Sequence, residues 1–508
     1  MGGKYVIKNA TVVSVDSNIG NPRNCDVLIE NGIIAAVGPN LTHSPECQII
    51  DGSDSIVSPG FVDTHRHTWQ TQLRTIATDY VLSDYLLDLR NIYGASYTAQ
   101  DAYIGNLCGA LESIDNGITA LIDHSHIMNS PEHADAAVRG LQDAKIRAVF
   151  CYALYKNPAW EGSCLDQNRE KTTPDWRLED ARRVKETLFP DNGPEELVRF
   201  GFAPSEPDLT PIEQLEQEIR YAREIGAALI TAHISYGKWD SGRRITRQLG
   251  ERGVLGPDMV LSHANTLLDE ELAAVKKNGV GLSTTPDTEL QMGMSHPIAF
   301  RAKDTGCIAS LGVDVCCSTP GYVSLISVFQ CITICRLTSN KERFSFRDIF
   351  QQMRLLIQTQ RHLEHERQPG PPLNMSRPCA DVLEMATLGG AKALGLQDLI
   401  GSITPGKRAD ILITRCNSTR LFPVHDPVGA LVLYANGSDV DTVFVNGEMV
   451  KSGGKLVHVD WLKVREELRA SVVSVMERSK KAPSEFVQAG KQYWVDLLTG
   501  TKEPDKKQ

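Results

Sequence analysis

The chain has 508 residues, 41% of them hydrophobic and 23% charged. That profile fits a soluble globular protein with room for one large domain and a smaller one. Its formal net charge is −10 with no long block of like charge, which argues against a nucleic-acid groove or a membrane-binding face.

The opening MGGKYVIKNATVVSVDS moves straight into a strand pattern and lacks the features of a signal peptide. No run of about 18 apolar residues occurs, so no spanning helix is expected. The twelve cysteines form no CxxC pairs. Cys108, Cys151, Cys307, Cys331 and Cys335 sit in apolar stretches and read as reduced core residues, with the cytoplasm as the default location.

Residues 1–58 alternate apolar and polar side chains, punctuated by turn signals such as Asn31-Gly32 and Gly38-Pro39. A matching pattern returns at residues 409–414 and 440–447. Each stretch is too short to bury a core alone. The expectation is one small β-sandwich domain built from 1–58 and 401–458, with a continuous domain, 59–400, inserted between them.

Within the insert, short apolar runs each precede a helical pattern: 56–63, 117–123, 148–152, 198–203, 228–233, 259–263, 279–283 and 307–314. Continuous apolar runs mark parallel strands covered on both faces, and eight of them are the number that closes a (β/α)8 TIM-like barrel. Period alone leaves an open doubly wound sheet as the alternative. Residues 459–508 read as a helix and tail, with Asp460 as N-cap, Trp461, Val464, Leu468, Val472 and Val475 on one face, and the final TKEPDKKQ frayed.

The polar residues at the strand ends carry the functional signal. His65 and His67 follow the first run at i and i+2, so both imidazoles can address one ion in the barrel mouth. His233 and His263 end later runs, and Asp314 ends the last. A lone histidine on a strand is more often a satisfied core residue. Five such residues, each closing an apolar run at the end where barrel active sites are built, point to a metal centre. Imidazoles plus a carboxylate suit zinc, and also iron or manganese.

In the order PGFVDTHRH, GITALIDH, ITAH, LSH and SLGVD, and in ATLGGAKALGLQDLIGSITPGKRADILI and VFVNGEMV near the end, the chain resembles the amidohydrolase superfamily. The likeness is to its metal-dependent deaminase and chlorohydrolase branch and covers nearly the whole chain. It implies a distorted (β/α)8 barrel and one divalent ion, usually zinc, on His65, His67, His233 and Asp314, with His263 binding substrate. No lysine stands where the binuclear branches place a bridging carbamate. The resemblance also implies a homo-oligomer, dimer or tetramer, and a small-molecule substrate, a flat heterocycle.

The expected chemistry is hydrolysis of a carbon–nitrogen bond other than a peptide bond, by deamination of a heterocycle or opening of a cyclic amide. Asp314 is expected as general base and His263 as the group that steadies the attacked centre. Aromatic deaminases of this branch carry the pattern HxxE after the strand-five histidine, and here Tyr236 replaces that glutamate. An unperturbed phenol, with a pKa near ~10, is a poor proton shuttle.

Glu206 is therefore expected to substitute as the acid, whereas Glu289 reads as a loop carboxylate or cap. Trp69, Gln70, His124 and Tyr236 are expected to line the substrate pocket, His126 to be structural, and Cys316 and Cys317 to form its wall. The alternative keeps the metal but expels a halide or alkoxide, or runs a non-hydrolytic elimination or decarboxylation. A scaffold that had lost catalysis is disfavoured because all five metal-site residues remain.

Overall fold

The computed structural model describes residues 3–317 and 348–498. Cys331, Cys335 and the TKEPDKKQ tail lie outside them. Two sheets organise the chain. The first is built from both ends: β1 (Tyr5–Val12), β2 (Cys25–Glu30), β3 (Ile33–Gly38), β4 (Gln48–Asp51) and β5 (Ser55–Pro59) join β14 (Ile411–Arg415), β15 (Val440–Val445), β16 (Glu448–Ser452) and β17 (Lys455–Leu456).

Strand β1 serves two layers. Tyr5–Lys8 pairs with β4, Tyr5–Ile7 and, past a bulge, Ala10 pair with β2, and Thr11–Val12 pairs with β5. Asn9, at φ 62°, turns the strand between the layers, as bulges commonly do at sandwich corners. Ile7, Val12, Val27, Ile29, Val57, Ile411 and Phe444 fill the space between. Neither chain end could assemble this core alone.

The second sheet is parallel, in sequential order: β6 (Phe61–Arg66), β7 (Ile118–Ser125), β8 (Arg147–Ala153), β9 (Val198–Ala203), β10 (Ile230–Ile234), β11 (Met259–His263), β12 (Gly281–Thr284) and β13 (Ile308–Leu311). It closes into a barrel where the segment after β13 meets the end of β6. Asp314 N donates to His65 O and His67 N donates to Asp314 O, each at 2.8 Å. That closure excludes the open doubly wound sheet. It also brings Gly312 so near β6 that a Cβ there would stand 2.8 Å from His65 O and 2.9 Å from His65 N.

One apolar run divides. Residues 56–63 read as a single strand, but β5 pairs antiparallel with β14 in the first sheet and β6 opens the barrel. The break falls at Pro59-Gly60. Proline has no N–H to continue a ladder, and a Cβ on Gly60 would meet Thr119 Oγ1 at 2.0 Å.

Phe150, Phe200 and Phe202 share a cluster with Phe189, which follows the helix Trp176–Leu188, and with Leu215 and Ile219 of the helix Ile212–Glu224. Full burial of each such ring is worth roughly 1.5–3 kcal/mol. Val62, Ala120, Ile122, Val149, Cys151 and Val260 form a separate cluster that links β6, β7, β8 and β11. Cys108, Cys151 and Cys307 are buried free thiols.

Asp460 caps the helix Trp461–Ser479 by accepting from Leu462 N and Lys463 N. Its packed face runs through Val464, Leu468, Ser471 and Val475, whereas Trp461 is exposed. Ser471 ties it down: Gln72 donates to Ser471 Oγ at 2.9 Å, and Ser471 donates to Asp101 at 2.6 Å. A second helix, Ser484–Leu498, follows. Among the described residues, no helix is long and apolar enough to cross a membrane.

Candidate functional site

The C-terminal ends of the barrel strands gather the residues singled out in the sequence. His65 and His67 come from β6 and the residue just past it, His233 from β10, His263 from the end of β11, and Asp314 from the segment after β13. Two overlapping groups have their ligand atoms within 4.8 Å of one another: His65, His233 and His263, and His65, His67 and Asp314. Asp314 Oδ1 lies 3.4 Å from His65 Nε2 and 3.5 Å from His67 Nε2. His263 and Asp314 both hold left-handed backbone, at φ 70° and 68°. Non-glycine residues rarely adopt it, and it recurs where a site dictates side-chain direction.

Each imidazole is anchored through Nδ1. His65 Nδ1 is 2.9 Å from Ser262 Oγ, His67 Nδ1 donates to His124 O at 2.8 Å, and His233 Nδ1 is 2.9 Å from Tyr155 OH. His263 Nδ1 is 3.2 Å from Thr285 Oγ1 and 3.4 Å from Glu289 Oε1. Holding one ring nitrogen fixes the tautomer and aims the other, the usual support of metal-binding histidines.

The donor set fits a divalent ion. Buried His65 Nε2 has no hydrogen-bond partner, and four nitrogens with one carboxylate converge on the same space. Burial lowers the pKa of His65 and holds His67 and His233 well below the usual imidazole value. The neutral form is the one that ligates. Burial acts the same way on His263, but the hydrogen bond to Glu289 and the charges of Asp314 and Glu289 outweigh it and raise the imidazole. Burial also opposes ionisation of Asp314, yet hydrogen bonding and charge from the surrounding imidazoles hold its carboxyl well below the usual range.

Glu206 lies beside this centre. Its Oε2 accepts from Tyr155 OH and is 3.3 Å from His233 Nδ1, while the buried Oε1 has no partner. Burial pushes its carboxyl up to about 7, against the hydrogen bonds of Tyr155 and Tyr236 and the charge of Arg90. Tyr236 hydrogen-bonds Asp208 as well, and burial raises that carboxyl to about 6. The phenol in the HxxE position thus braces two buried acids. Burial, with the charges of Glu206 and Asp208, holds the Tyr236 hydroxyl well above its ordinary pKa.

The remaining predicted pocket residues differ in what they present. Trp69 is fully buried, donates Nε1–H to His126 Nδ1 at 3.0 Å and meets Tyr97 edge-on at 4.8 Å. Gln70 donates to Tyr85 OH at 2.6 Å, and its Oε1 accepts from Cys317 at 3.5 Å. Both ends of that amide are thus engaged within the protein. His124 stacks on His233 at 4.4 Å with both ring nitrogens unpartnered. Cys316 and Cys317 are buried near the mouth.

Glu289 departs from its reading as a loop carboxylate. It does accept from Thr285 N at 2.8 Å, but it is completely buried and faces His263. Sequence reasoning missed Tyr85, Arg90 and Tyr155. Tyr85 and Arg90 arrive on a short helix (Leu82–Tyr85) that continues into a π-helical turn (Leu86–Tyr93). Tyr155 lies two residues beyond β8, where only its place after a barrel strand could have flagged it.

A family model described as the amidohydrolase family matches residues 56–450. The chain is 27% identical to a 5'-deoxyadenosine deaminase of Methanosarcina barkeri over 93% of its own length and 98% of that protein. Its fold resembles an adenosine deaminase of Xanthomonas campestris with bound zinc, with a TM-score of 0.77 at 19% identity, covering 94% of this chain and 99% of the other. It also resembles the atrazine chlorohydrolase of Arthrobacter aurescens complexed with zinc, with a TM-score of 0.73 at 21% identity, covering 92% and 100%.

Proposed function

This chain belongs to the amidohydrolase family of metal-dependent hydrolases, and we propose that it deaminates a flat amino-heterocycle of the purine class. One divalent ion, zinc, would be held by His65, His67, His233 and Asp314. When bound, such an ion brings a water toward ionisation near neutral pH and polarises the atom under attack.

The chain's own residues do the rest. Asp314 takes the proton of the attacking water, a role suited to a carboxylate held ionised. His263, held by Glu289 and Thr285, donates a hydrogen bond to the ring atom on which charge develops. Glu206 delivers a proton to the departing nitrogen through its unpartnered Oε1, and Tyr155 and Tyr236 fix its direction.

The observation that carries this reading is Glu206: a largely enclosed carboxyl 3.3 Å from His233, whose buried Oε1 is unpartnered, where the HxxE glutamate is missing. The purine class is supported by the names of the deaminases to which the chain is similar. Tyr236 favours a second reading, expulsion of a halide or alkoxide, in which no amine needs protonation.

The test is ammonia release by the zinc-loaded full chain from 5'-deoxyadenosine, adenosine, guanine and other amino-heterocycles, alongside chloro- and alkoxy-heterocycles. Ammonia from at least one amine, abolished by chelation and restored by zinc, is expected. Chloride or alcohol release without any ammonia would replace the first reading by the second.

A further inference from the structure

One wall of the centre holds nitrogen groups that the protein leaves unsatisfied. Arg90 is 6% exposed, and its guanidinium carbon sits 4.6 Å above the Tyr155 ring. Its Nε has no partner, and its contact through Nη2 is a long 3.5 Å approach to Asn157 Oδ1. No carboxylate among the described residues lies within 4.0 Å of it. Nearby Glu206 is bonded to Tyr155 and faces His233 instead.

Buried His126 and His124 stand beside the same ring, at 5.7 and 5.5 Å between centroids. Nε2 of His126 and both nitrogens of His124 also lack partners. Buried Arg147 pairs with Asp410 at 3.1 Å and buried Arg177 with Glu170 at 2.8 Å. Buried Arg199, on β9, is like Arg90 in having an unpartnered Nε, so what sets Arg90 apart is its place beside the histidines of the centre.

A guanidinium keeps its charge under all ordinary conditions and needs acceptors for its fork of N–H groups. Burying such a charge without a counter-ion is costly unless a ligand supplies one. Through Tyr155, Arg90 is one ring away from His233.

We propose that Arg90, flanked by His124 and His126, binds an anionic oxygen group carried by the substrate, so that this enzyme takes acidic heterocycles. The proposal names the substrate class of the site described above, and it rests on that site being where substrate binds. A carboxylate and a phosphate share the required chemistry.

Binding of small aromatic probes, measured by calorimetry on the full zinc-loaded chain, tests it without turnover. The probes are benzoate, its neutral isostere benzamide, and phenyl phosphate. Benzoate or phenyl phosphate is expected to bind at least tenfold more tightly than benzamide, and the tighter of the two identifies the anion. Arg90→Met should abolish that preference while leaving benzamide affinity within threefold. Arg90→Lys, which keeps the charge but not the fork, should reduce the preference by threefold or more and covers the case in which the methionine variant does not fold.

Equal binding of benzoate, phenyl phosphate and benzamide overturns the proposal, as does a preference that survives in both variants, since the anion would then sit on the metal. Equal weakening of all three probes also overturns it, because Arg90 would then only position Tyr155. Anion preference without ammonia release from any amine would sink the deaminase reading and leave this one standing. Ammonia release without anion preference does the reverse.

Discussion

Replacing Glu206 with glutamine isolates the proton-delivery step. The amide has the same shape, and its oxygen can still accept from Tyr155, so the wall around His233 should stay in place. What disappears is a proton that burial holds on a carboxyl titrating at about 7. A group poised there is half protonated at neutral pH, the condition for efficient proton transfer. General acid–base catalysis contributes roughly 10²–10⁴-fold, so turnover should fall by that factor, about 3–5 kcal/mol of transition-state stabilisation.

Steady-state ammonia release on a confirmed substrate measures the loss, and elemental analysis of the same sample checks that metal content is unchanged. Tyr236→Phe, which removes one brace from Glu206 and Asp208 but no titrating carboxyl at Glu206, should cost less than tenfold. Turnover of Glu206→Gln within threefold of the parent, with full metal content, would refute the assignment and return the role to another group.

Three further outcomes follow from the geometry. Ser262→Ala removes the hydroxyl that orients His65 Nδ1 at 2.9 Å, and metal affinity by chelator competition should drop roughly 10–100-fold. Gly312→Ala forces a methyl against His65 backbone at 2.8–2.9 Å; unfolding should become easier by about 1–3 kcal/mol, with metal content falling too, whereas an unchanged melting temperature would contradict the closure described. His133 lies between Tyr97 O and Ser130 Oγ, each at 2.9 Å, and burial lowers its imidazole to about 4. Below pH ~6.5 the unfolded chain therefore takes up a proton that the fold refuses. Stability should fall by on the order of 3 kcal/mol as pH drops from that value to about 4. Denaturant curves of His133→Gln should lose that slope, and parallel curves would remove His133 as its source.

Much of the fold was legible because its signals are local. Apolar runs ending in histidine or aspartate locate both the strands and their functional ends, since in a barrel those ends face one mouth. The division of 56–63 was hidden because β5 and β6 are both fully buried and equally apolar; only Pro59-Gly60 marks it.

The candidate metal-binding residues were readable from their position on strands. The groups that tune them were not. Tyr155, Arg90 and Glu289 come from loops and short helices whose sequences have no period tied to the barrel, and the groups that work against burial at Glu206 (Tyr155, Arg90, His263 and Tyr236) come from four separate segments. Gln70 shows the converse: its neighbourhood to the HxH pair was plain, but its partners Tyr85 and Cys317 are set by tertiary packing.

The most direct test of the account is a zinc titration of the chelator-stripped full chain, followed by ammonia release from the best amino-heterocycle found. Activity should rise in proportion to added zinc and break at one equivalent per chain, and His65→Ala should show neither binding nor activity. Ammonia release that ignores zinc, or that needs two equivalents, would contradict a single ion held by His65, His67, His233 and Asp314.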